Sequence, residues 1–343
     1  MSEPLRGAIL GFGNVGQGIT RFLHRKGIAK IVAVCNRGAD KLQIAKEKFG
    51  IPFVSHDAKE VCERPDVDFV CVLSTNAAHR DHVVAAAKAG KHIFLEKPIA
   101  LNLKEADEMV DAVEKAKVIC GLNFTNRYVQ SKIRLAERLK AGEIGKLLSA
   151  WTVIGRGFGL AGAGARHRAI LDPEESGTWI VHHACHSVDF LEWMAGPVRE
   201  VFCRAHSTLP GKYSPEIVWA LTMHESGATG SIHDTVGRYL EHLFTLEGEG
   251  GTLQVKSVDH KNDQILYWKE EGDTGMDASR RTPPAVEEIP LSKHAGQGVE
   301  RFLQGIRDLN PPEPSIREAR RNLAVTLAMM ESAKTGKAVR VPS

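Results

Sequence analysis

A glycine-rich string follows the first apolar run of the chain. Residues 11 to 16 read GFGNVG and come directly after Ala8-Ile9-Leu10. Three glycines in the spacing G-x-G-x-x-G, placed between a strand and a helix, are typical of a turn that cradles the pyrophosphate of a dinucleotide. Short glycine strings also arise by chance as simple turns. The interpretation therefore depends on the residues around this one.

The surrounding sequence predicts the strand–turn–helix unit that such a cradle needs. Residues 7–10 form a short apolar run and residues 15–26 an amphipathic helix, whose first amide groups would face the pyrophosphate. The first glycine permits the sharp turn, the second lets phosphates approach the backbone, and the third lets helix and strand pack closely. We therefore predict cofactor contacts from Gly11, Phe12, Gly13, Asn14, Val15 and Gly16.

The choice between the two nicotinamide dinucleotides depends on Asn36 and Arg37, which end the second predicted strand. A carboxylate at this position would bind the ribose 2′-hydroxyl of NAD and repel a 2′-phosphate. A neutral residue followed by a cation favours NADP. NAD stays open, because an asparagine can bond a hydroxyl and Arg37 can lie over the adenine ring. The sequence predicts NAD(P), with a preference for NADP.

Apolar strands alternate with amphipathic helices over the first 122 residues. The predicted strands are 7–10, 31–35, 68–73, 92–95 and 118–122, and the predicted helices are 15–26, 41–49, 80–89 and 103–116. Strands that are apolar throughout and separated by helices indicate a parallel sheet covered on both faces. The fold class is therefore α/β, with a Rossmann dinucleotide-binding domain over residues 1–122.

Beyond residue 122 the pattern changes to strands joined by glycine turns. The predicted strands are 147–154, 200–205, 217–224, 228–235, 242–247, 252–256 and 264–268, and a long helix is predicted at 315–334. The glycine-rich residues 157–164 are interpreted as a mobile loop. We predict a C-terminal α+β domain over residues 123–343, built on a mainly antiparallel sheet with a few helices.

Composition excludes several other classes of protein. The formal net charge is only +3 and no long basic block occurs, so nucleic-acid binding is not expected. No apolar stretch approaches the roughly 20 residues of a membrane-spanning helix, and the N-terminus lacks a signal-peptide core. The six cysteines form no C-x-x-C pair and lie mostly in apolar runs. These features predict a cytoplasmic protein with reduced, buried thiols and no membrane partner.

A second motif, Glu96-Lys97-Pro98, extends the interpretation to the whole chain. It lies within STNAAHRDHVVAAAKAGKHIFLEKPIAL and is followed in order by GLNFTNRY, GEIGKL, CHSVDF and SAKTGKAVRV. With these segments the chain resembles the Gfo/Idh/MocA oxidoreductase family. The resemblance implies an NAD(P)-dependent enzyme acting on a sugar, an inositol or a derivative of one. It also implies a Rossmann domain followed by an open-faced sheet that often mediates oligomerisation, here as a homodimer or homotetramer.

The resemblance assigns roles to individual residues. It implies that Lys97 is the active-site lysine, and we expect Arg127 and Tyr128 to contact the substrate. An ammonium beside a developing alkoxide would stabilise that charge, most strongly where water is excluded. A solvated lysine in a turn is the alternative. The residues implied to line the cofactor are Ser74, Thr75, Asn76, His79, Glu96, Lys97 and Asn123.

The segment HHACHSVD, residues 182 to 189, is predicted to lie on an amphipathic helix. An apolar stripe runs along one face, at Ile180, Ala184, Val188, Leu191 and Ala195, while His182, His186 and Asp189 share another. The family pattern here usually reads Asp, three residues, His, two residues, Asp. His186 matches the histidine of this pattern, which the resemblance implies to be the general base. Histidine suits that role because it titrates near neutral pH.

His182 departs from the family, since it stands where an aspartate is usual. A histidine can relay hydrogen bonds, carry a second positive charge or bind a ligand, so a different substrate or reaction stays open. Two histidines four residues apart can also bind a metal. We expect no metal, because His183 should project elsewhere on the helix and no H-E-x-x-H pattern occurs. His182 and His186 are therefore predicted as catalytic and substrate-binding residues.

Three classes of function follow from these residues. The first is an oxidoreductase that transfers a hydride between the nicotinamide and a hydroxyl or keto carbon of a sugar, glycoside or cyclitol. The second is a glycosidase with a tightly bound nicotinamide, which some family relatives use for transient ring oxidation and elimination. The third is a cofactor-binding regulator without catalysis. The presence of both Lys97 and His186 argues against the regulator.

Overall fold

The computed structural model describes residues 3–155, 177–207, 215–236, 242–257, 262–269, 283–290 and 296–342. The predicted loop at 157–164 lies outside these ranges. Among the described residues, 3–125 and 296–323 form one compact unit. Residues 126–290, with the gaps given above, form a second unit together with 324–342.

The first unit is built on a six-stranded parallel sheet. Its strands are β1 (Leu5–Leu10), β2 (Ala29–Cys35), β3 (Phe53–Ser55), β4 (Phe69–Val72), β5 (His92–Leu95) and β6 (Cys120–Leu122). They lie in the order β3-β2-β1-β4-β5-β6. The order reverses beside β1, and in open parallel sheets ligands bind at the carboxyl ends of the strands where this reversal occurs. The predicted parallel sheet is confirmed.

Helices connect these strands. They are α1 (Asn14–Lys26), α2 (Ala39–Phe49), α3 (Ala58–Cys62), α4 (His79–Lys88) and α5 (Leu103–Ala116). The short elements β3 and α3 were not predicted. β3 has only three residues and all are half-buried, so it lacks the apolar run that marks the central strands.

The second unit is built on a nine-stranded sheet. Its strands are β7 (Leu147–Gly155), β8 (Val198–His206), β9 (Ile217–His224), β10 (Thr229–Thr235), β11 (His242–Gly248), β12 (Gly251–Ser257), β13 (Asn262–Lys269), β14 (Ala285–Pro290) and β15 (Val339–Arg340). The order is β14-β13-β12-β11-β7-β10-β9-β8-β15. β7 and β10 pair in parallel, and the other neighbouring pairs of described strands are antiparallel. The predicted mainly antiparallel sheet is confirmed.

Helices pack on one face of this second sheet. They are α6 (Gln130–Lys140), which was not predicted, and α7 (Cys185–Ala195), which follows a π-helical turn at Ile180–Ala184. The other face is more open: along β9, Val218 and Ala220 are buried, while Trp219 and Leu221 are 57% and 60% exposed. This alternation is what a sheet with one covered face requires.

The last two helices, α8 (Gln297–Asp308) and α9 (Ile316–Thr335), change the expected division of the chain. Residues 296–323 belong to the first unit rather than to the C-terminal domain in which the prediction put them. The physical reason is α8, whose Phe302 packs its ring edge-on against Phe69 at 5.9 Å and lies 5.6 Å from the ring of Phe94. α9 contributes residues to both units.

Within the described part of the chain, no helix combines the length and apolar character needed to cross a bilayer. The six cysteines are all buried, as predicted, and the structure joins none of them in a disulfide. Burial raises the pKa of the Cys35 thiol to about 11 and that of Cys62 to about 12. These thiols are therefore protonated and unreactive near neutral pH.

Candidate active site

The glycine loop between β1 and α1 has the geometry of a phosphate cradle. Gly11 has φ +101°, and a Cβ there would lie 2.5 Å from the carbonyl oxygen of Leu73. A Cβ on Gly16 would lie 2.4 Å from the carbonyl oxygen of Gly11. A Cβ on Gly13, in contrast, would meet no described protein atom within 4 Å. Packing thus accounts for two of the glycines, and the third leaves open space beside the backbone for a ligand.

The N-terminus of α1 faces that space. Gly13 is its N-cap, and among the described residues no side chain caps the helix and no acidic residue stands in its first turn. Gly13, Asn14 and Val15 are exposed. The free amide groups and the positive end of the helix dipole suit an anion. The residues present therefore fit the pyrophosphate of a dinucleotide.

Phe12 contributes differently from its neighbours in the loop. Its side chain is fully buried, with its ring edge-on to Phe49 at 5.1 Å. Its backbone N–H donates to Oδ1 of Asn36 at 2.9 Å. Phe12 was predicted to contact the cofactor, but its ring belongs to the core, and any contact falls to backbone atoms.

Asn36 holds the loop in place. Besides accepting from Phe12, its side chain donates from Nδ2 to the carbonyl oxygen of Gly38 at 3.3 Å. The side-chain oxygen that was considered for a ribose hydroxyl is therefore already bonded within the protein. Arg37, which is exposed, is the charged residue that this position offers to a ligand.

Ser74 and His82 form a polar pair that no sequence motif indicates. Ser74 Oγ lies 3.0 Å from Nδ1 of His82, which stands three residues after His79 on α4. Burial lowers the pKa of His82, the Asp81 carboxylate opposes this effect, and the positive charge of Arg37 adds to it. The charge of Arg37 thus disfavours a positive charge on His82, although the two residues follow different strands.

Lys97 lies two residues after the end of β5, and its backbone is held by neighbouring side chains. Its backbone N–H donates to Oε2 of Glu96 at 3.1 Å, and Oε1 of Glu96 accepts from Nδ2 of Asn123. Burial raises the pKa of the Glu96 carboxyl, while the charge of Lys97 and the bond from Asn123 lower it. Glu96 and Asn123, both predicted to line the cofactor, thus also fix the backbone that carries Lys97.

His79 is enclosed by protein, although it too was predicted to line the cofactor. It is 0% exposed, and its two ring nitrogens face the carbonyl oxygens of Ser74 and Pro98. Burial lowers the pKa of His79 to about 4, so the ring is neutral near pH 7. Thr75 is half-buried and Asn76 is buried, and both lie in the turn that leads into α4.

The histidine cluster of the second unit is built on the π-helical turn. The ring of His182 lies edge-on to the ring of His183, with centroids 4.9 Å apart, and His183 packs against Trp179 at 4.0 Å. Trp179 is in turn fixed by its indole N–H, which donates to Oδ1 of the buried Asp234 at 3.0 Å. His182, His183 and His186 are half-buried.

The π-helical turn corrects the regular helix that the sequence predicted. The expectation that His183 projects away from His182 is wrong, since the two rings are in contact. The wider turn changes the angle between successive side chains, and such turns recur at functional sites. Among the described residues, no cluster of three or more His, Cys, Asp or Glu side chains is arranged to hold a metal ion.

Asp189, the last residue of the family pattern, pairs with Arg127. The guanidinium contacts the carboxylate through Nε and Nη2 at 3.0–3.1 Å, and both side chains are buried. The adjacent Asn126 donates from Nδ2 to the backbone oxygen of His186 at 3.3 Å, and Tyr128 is buried. Arg127 and Asn126 therefore fix the helix that carries His186. Contact of Arg127 and Tyr128 with the substrate stays a prediction.

His233 and Asp234 are neighbours on β10, and their side chains lie on opposite faces of the sheet. Asp234 is buried and bonded to Trp179 on the helix-covered face of the sheet. His233 stacks on Trp219, with ring centroids 3.7 Å apart. Neighbouring residues of a strand point to opposite faces, so His233 belongs to the open face.

Two family models match the chain in the order of its two parts. Residues 5–124 match the model described as "Oxidoreductase family, NAD-binding Rossmann fold", and residues 133–254 match the "GFO/IDH/MocA C-terminal domain". The chain belongs to the Gfo/Idh/MocA oxidoreductase family. This confirms the resemblance drawn from the Glu96-Lys97-Pro98 motif and the segments around it.

Curated relatives in the family include enzymes of inositols and sugars. Myo-inositol 2-dehydrogenase of Thermotoga maritima is 36% identical over 142 residues, 41% of this chain and 42% of that protein. The matched region thus spans less than half of that relative. The 1,5-anhydro-D-fructose reductase of Ensifer adhaerens is 26% identical over 317 residues, 91% of each chain. D-apiose dehydrogenase of Paraburkholderia graminis is 26% identical over 99% of this chain and 91% of the relative.

Solved structures of similar fold extend over nearly the whole chain. A levoglucosan dehydrogenase in complex with NADH has a TM-score of 0.86 at 20% identity, covering 99% of this chain and all of the other. An oxidoreductase domain protein from Kribbella flavida has the same TM-score and identity, with complete coverage of both chains. These likenesses support the two-part fold. Family membership supports an oxidoreductase with a nicotinamide cofactor.

Proposed function

We propose that this Gfo/Idh/MocA protein is a dehydrogenase or reductase that acts on one hydroxyl or keto carbon of a sugar, glycoside or cyclitol. The observation that carries the proposal is the setting of Lys97, held by Glu96 and Asn123 at the carboxyl ends of β5 and β6. The glycine cradle lies at the same edge of the same sheet, after β1. The relatives named above act on molecules of this class.

The chemistry divides between a lysine and a histidine. A bound nicotinamide would supply the hydride chemistry, as acceptor from the substrate carbon in oxidation and as donor to it in reduction. Lys97 stabilises negative charge on the substrate oxygen, because an ammonium is most effective where water is excluded. His186 takes the hydroxyl proton, since a neutral imidazole is a good base near pH 7. His182 passes hydrogen bonds to His186.

The cofactor preference is proposed to be for NADP. Arg37 is exposed and its neighbour Asn36 is neutral and bonded to Phe12 and Gly38. The acidic residue that selects NAD at this position in other dinucleotide-binding domains is therefore absent here. A guanidinium suits a phosphate through two parallel hydrogen bonds.

The open face of the second sheet is proposed to join copies of this chain into a homodimer or homotetramer. Trp219 and Leu221 are exposed there, side by side with His233, on a sheet whose other face is covered. Exposed apolar patches of this kind mark interaction surfaces.

A substrate panel tests the proposed function. Sugars, cyclitols and glycosides are each incubated with NAD or NADP, and turnover is followed at the nicotinamide absorbance and by product analysis. We expect substrate-dependent cofactor reduction, lowered at least about a hundredfold by Lys97→Ala, with cofactor affinity changed far less. Release of an aglycone without net cofactor change would instead support the glycosidase, which none of the named relatives favours. Near-wild-type turnover of Lys97→Ala would remove Lys97 from the mechanism.

A further inference from the structure

His79 connects two loops at the carboxyl edge of the parallel sheet. Its Nδ1 lies 3.0 Å from the carbonyl oxygen of Pro98 and 3.3 Å from that of Ile99. Its Nε2 lies 3.2 Å from the carbonyl oxygen of Ser74. The first two carbonyls directly follow Lys97, and the third opens the turn after β4. One buried ring therefore spans both segments.

A neutral imidazole can donate to only one of these loops. It carries a single N–H, and its other nitrogen is an acceptor that gains nothing from a carbonyl oxygen. Nδ1 has the shorter contact and two carbonyls in reach, whereas Nε2 has one at a longer distance. The proton therefore belongs on Nδ1, and the donated bond goes to the segment that follows Lys97.

The same segment is held from its other side by Glu96. The Glu96 carboxylate accepts a hydrogen bond from the backbone N–H of Lys97. His79 donates from Nδ1 to the carbonyl oxygen of Pro98, one residue further on. The backbone of Lys97 is thus fixed both before and after the residue. A catalytic group misplaced by about 1 Å can lose on the order of a hundredfold in rate.

We propose that His79 is a positioning residue, which fixes the backbone that carries Lys97 by donating a hydrogen bond from Nδ1 to Pro98. The proposal rests on the role of Lys97 given above. His79 fixes the position of Lys97 without contacting the substrate. Its loss therefore lowers the rate of the chemical step and leaves the affinity for the cofactor unchanged. The glycine loop and the N-terminus of α1 hold the pyrophosphate independently.

Two amide substitutions separate the two ring nitrogens. In His79→Asn the side-chain NH2 lies near the place of Nδ1, and in His79→Gln it lies near that of Nε2. We expect His79→Asn to keep kcat within about threefold of wild type and His79→Gln to lose at least about tenfold. KM and the dissociation constant of the cofactor should stay within about threefold for both. Equal kcat values, or a loss confined to cofactor affinity, would overturn the proposal.

Two further measurements need no turnover. Amide hydrogen exchange of the cofactor-free protein should be faster in the peptide that covers residues 97–101 in His79→Gln than in His79→Asn, with a peptide from β11 and β12 unchanged. Nitrogen NMR of the wild-type imidazole should find the proton on Nδ1. A proton on Nε2 would overturn the proposal even if neither variant folds. If the substrate panel fails while these two results hold, the proposed function is at fault and the positioning role stands.

Discussion

Arg127 and Asp189 form a buried ion pair that joins the turn after β6 to the middle of α7. Nε of Arg127 lies 3.1 Å from both carboxylate oxygens, Nη2 lies 3.0 Å from one of them, and both side chains are about 5% exposed. The guanidinium also lies over the ring of Trp193 at 5.0 Å. The family residue at 189 is therefore used for architecture, and the helix carrying His186 is fixed through it.

Removing one partner of this pair should lower the free energy of unfolding by more than the intact pair contributes to it. Arg127→Ala or Asp189→Ala leaves one charge buried without its partner, which costs about 3–5 kcal/mol in free energy of unfolding. The double variant should lose clearly less than the sum of the two. Urea unfolding gives these values, with Glu114→Ala as the matched control because its partner, Arg317, is 70% exposed. The control pair should be worth about 0–1 kcal/mol. Similar losses in both pairs would contradict the interpretation.

Lys132 should make the stability of the second unit depend on pH. Burial lowers its pKa to about 8, partly opposed by Asp263, and its ammonium lies over the ring of Phe244 at 4.3 Å. Because the folded-state pKa is below the unfolded value of 10.5, the unfolded state binds more protons between about pH 8 and 10.5. The contribution of Lys132 to the free energy of unfolding therefore rises with pH over that window. Below about pH 8 the buried ammonium exerts its full destabilising effect.

The variant Lys132→Met isolates this effect. The advantage of Lys132→Met over wild type should be largest near pH 7 and shrink, on the order of 1–3 kcal/mol, between about pH 8 and 10.5. Urea unfolding of both proteins at several pH values measures the difference between their free energies of unfolding. Other groups titrate in the same way in both proteins, so their contribution cancels in this difference. A difference independent of pH would show that Lys132 keeps its ordinary protonation in the fold.

The elements that the sequence predicted correctly are those whose signal is local. The glycine loop, the apolar runs within β1, β2, β4 and β5 and the apolar stripe of α7 each lie in one short stretch. α8 was not predicted, although Val299, Phe302, Leu303 and Ile306 are all buried at helical spacing. Its packing against Phe69 and Phe94 joins distant parts of the chain, and no local pattern indicates that.

The site residues divide in the same way. The motif identifies Lys97 and Glu96 as belonging to a site, but not that Glu96 accepts the backbone N–H of Lys97. Nor does it indicate that the rings of Phe12 and His79 are fully buried. Burial depends on which distant segments cover a side chain. The π-helical turn before α7 likewise depends on tertiary packing, since its residues read as an ordinary amphipathic helix.

Arg37 should control the choice of cofactor. Arg37→Ala removes the exposed cation and should weaken NADP binding at least about tenfold, because a charge-assisted bond contributes about 1.5–3 kcal/mol. NAD binding should change by less than about threefold. Asn36→Asp added to it should favour NAD further, since a carboxylate keeps the acceptor for Phe12 and repels a 2′-phosphate. Fluorescence titration measures both affinities, with Lys30→Ala at the start of β2 as control. A clear preference of the wild-type protein for NAD would overturn the proposal.

Charge placed on the open sheet face should block self-association. Trp219→Glu and Leu221→Glu introduce carboxylates at two positions that are exposed in the single chain. We expect the wild-type protein to sediment as a dimer or tetramer and each variant as a smaller species with unchanged helix content. Leu309→Glu is the matched control, because Leu309 is 81% exposed in the other unit. A monomeric wild-type protein, or variants that assemble like wild type, would reject this face as the interface.

The departure of His182 from the family pattern makes a proton relay with His186 testable. If His186 is the base and His182 its neighbour in a proton relay, His186→Ala should lower kcat by at least about a hundredfold. His182→Ala should lose less, and His182→Asp should keep the fold and part of the activity, because a carboxylate can still orient an imidazole. His206→Ala, at an exposed position of β8, should change nothing. Chelators should have no effect, since a closed metal site needs about four ligands. Stoichiometric bound zinc or manganese, with activity lost on chelation and restored by the metal, would reject the relay and make His182 and His186 ligands.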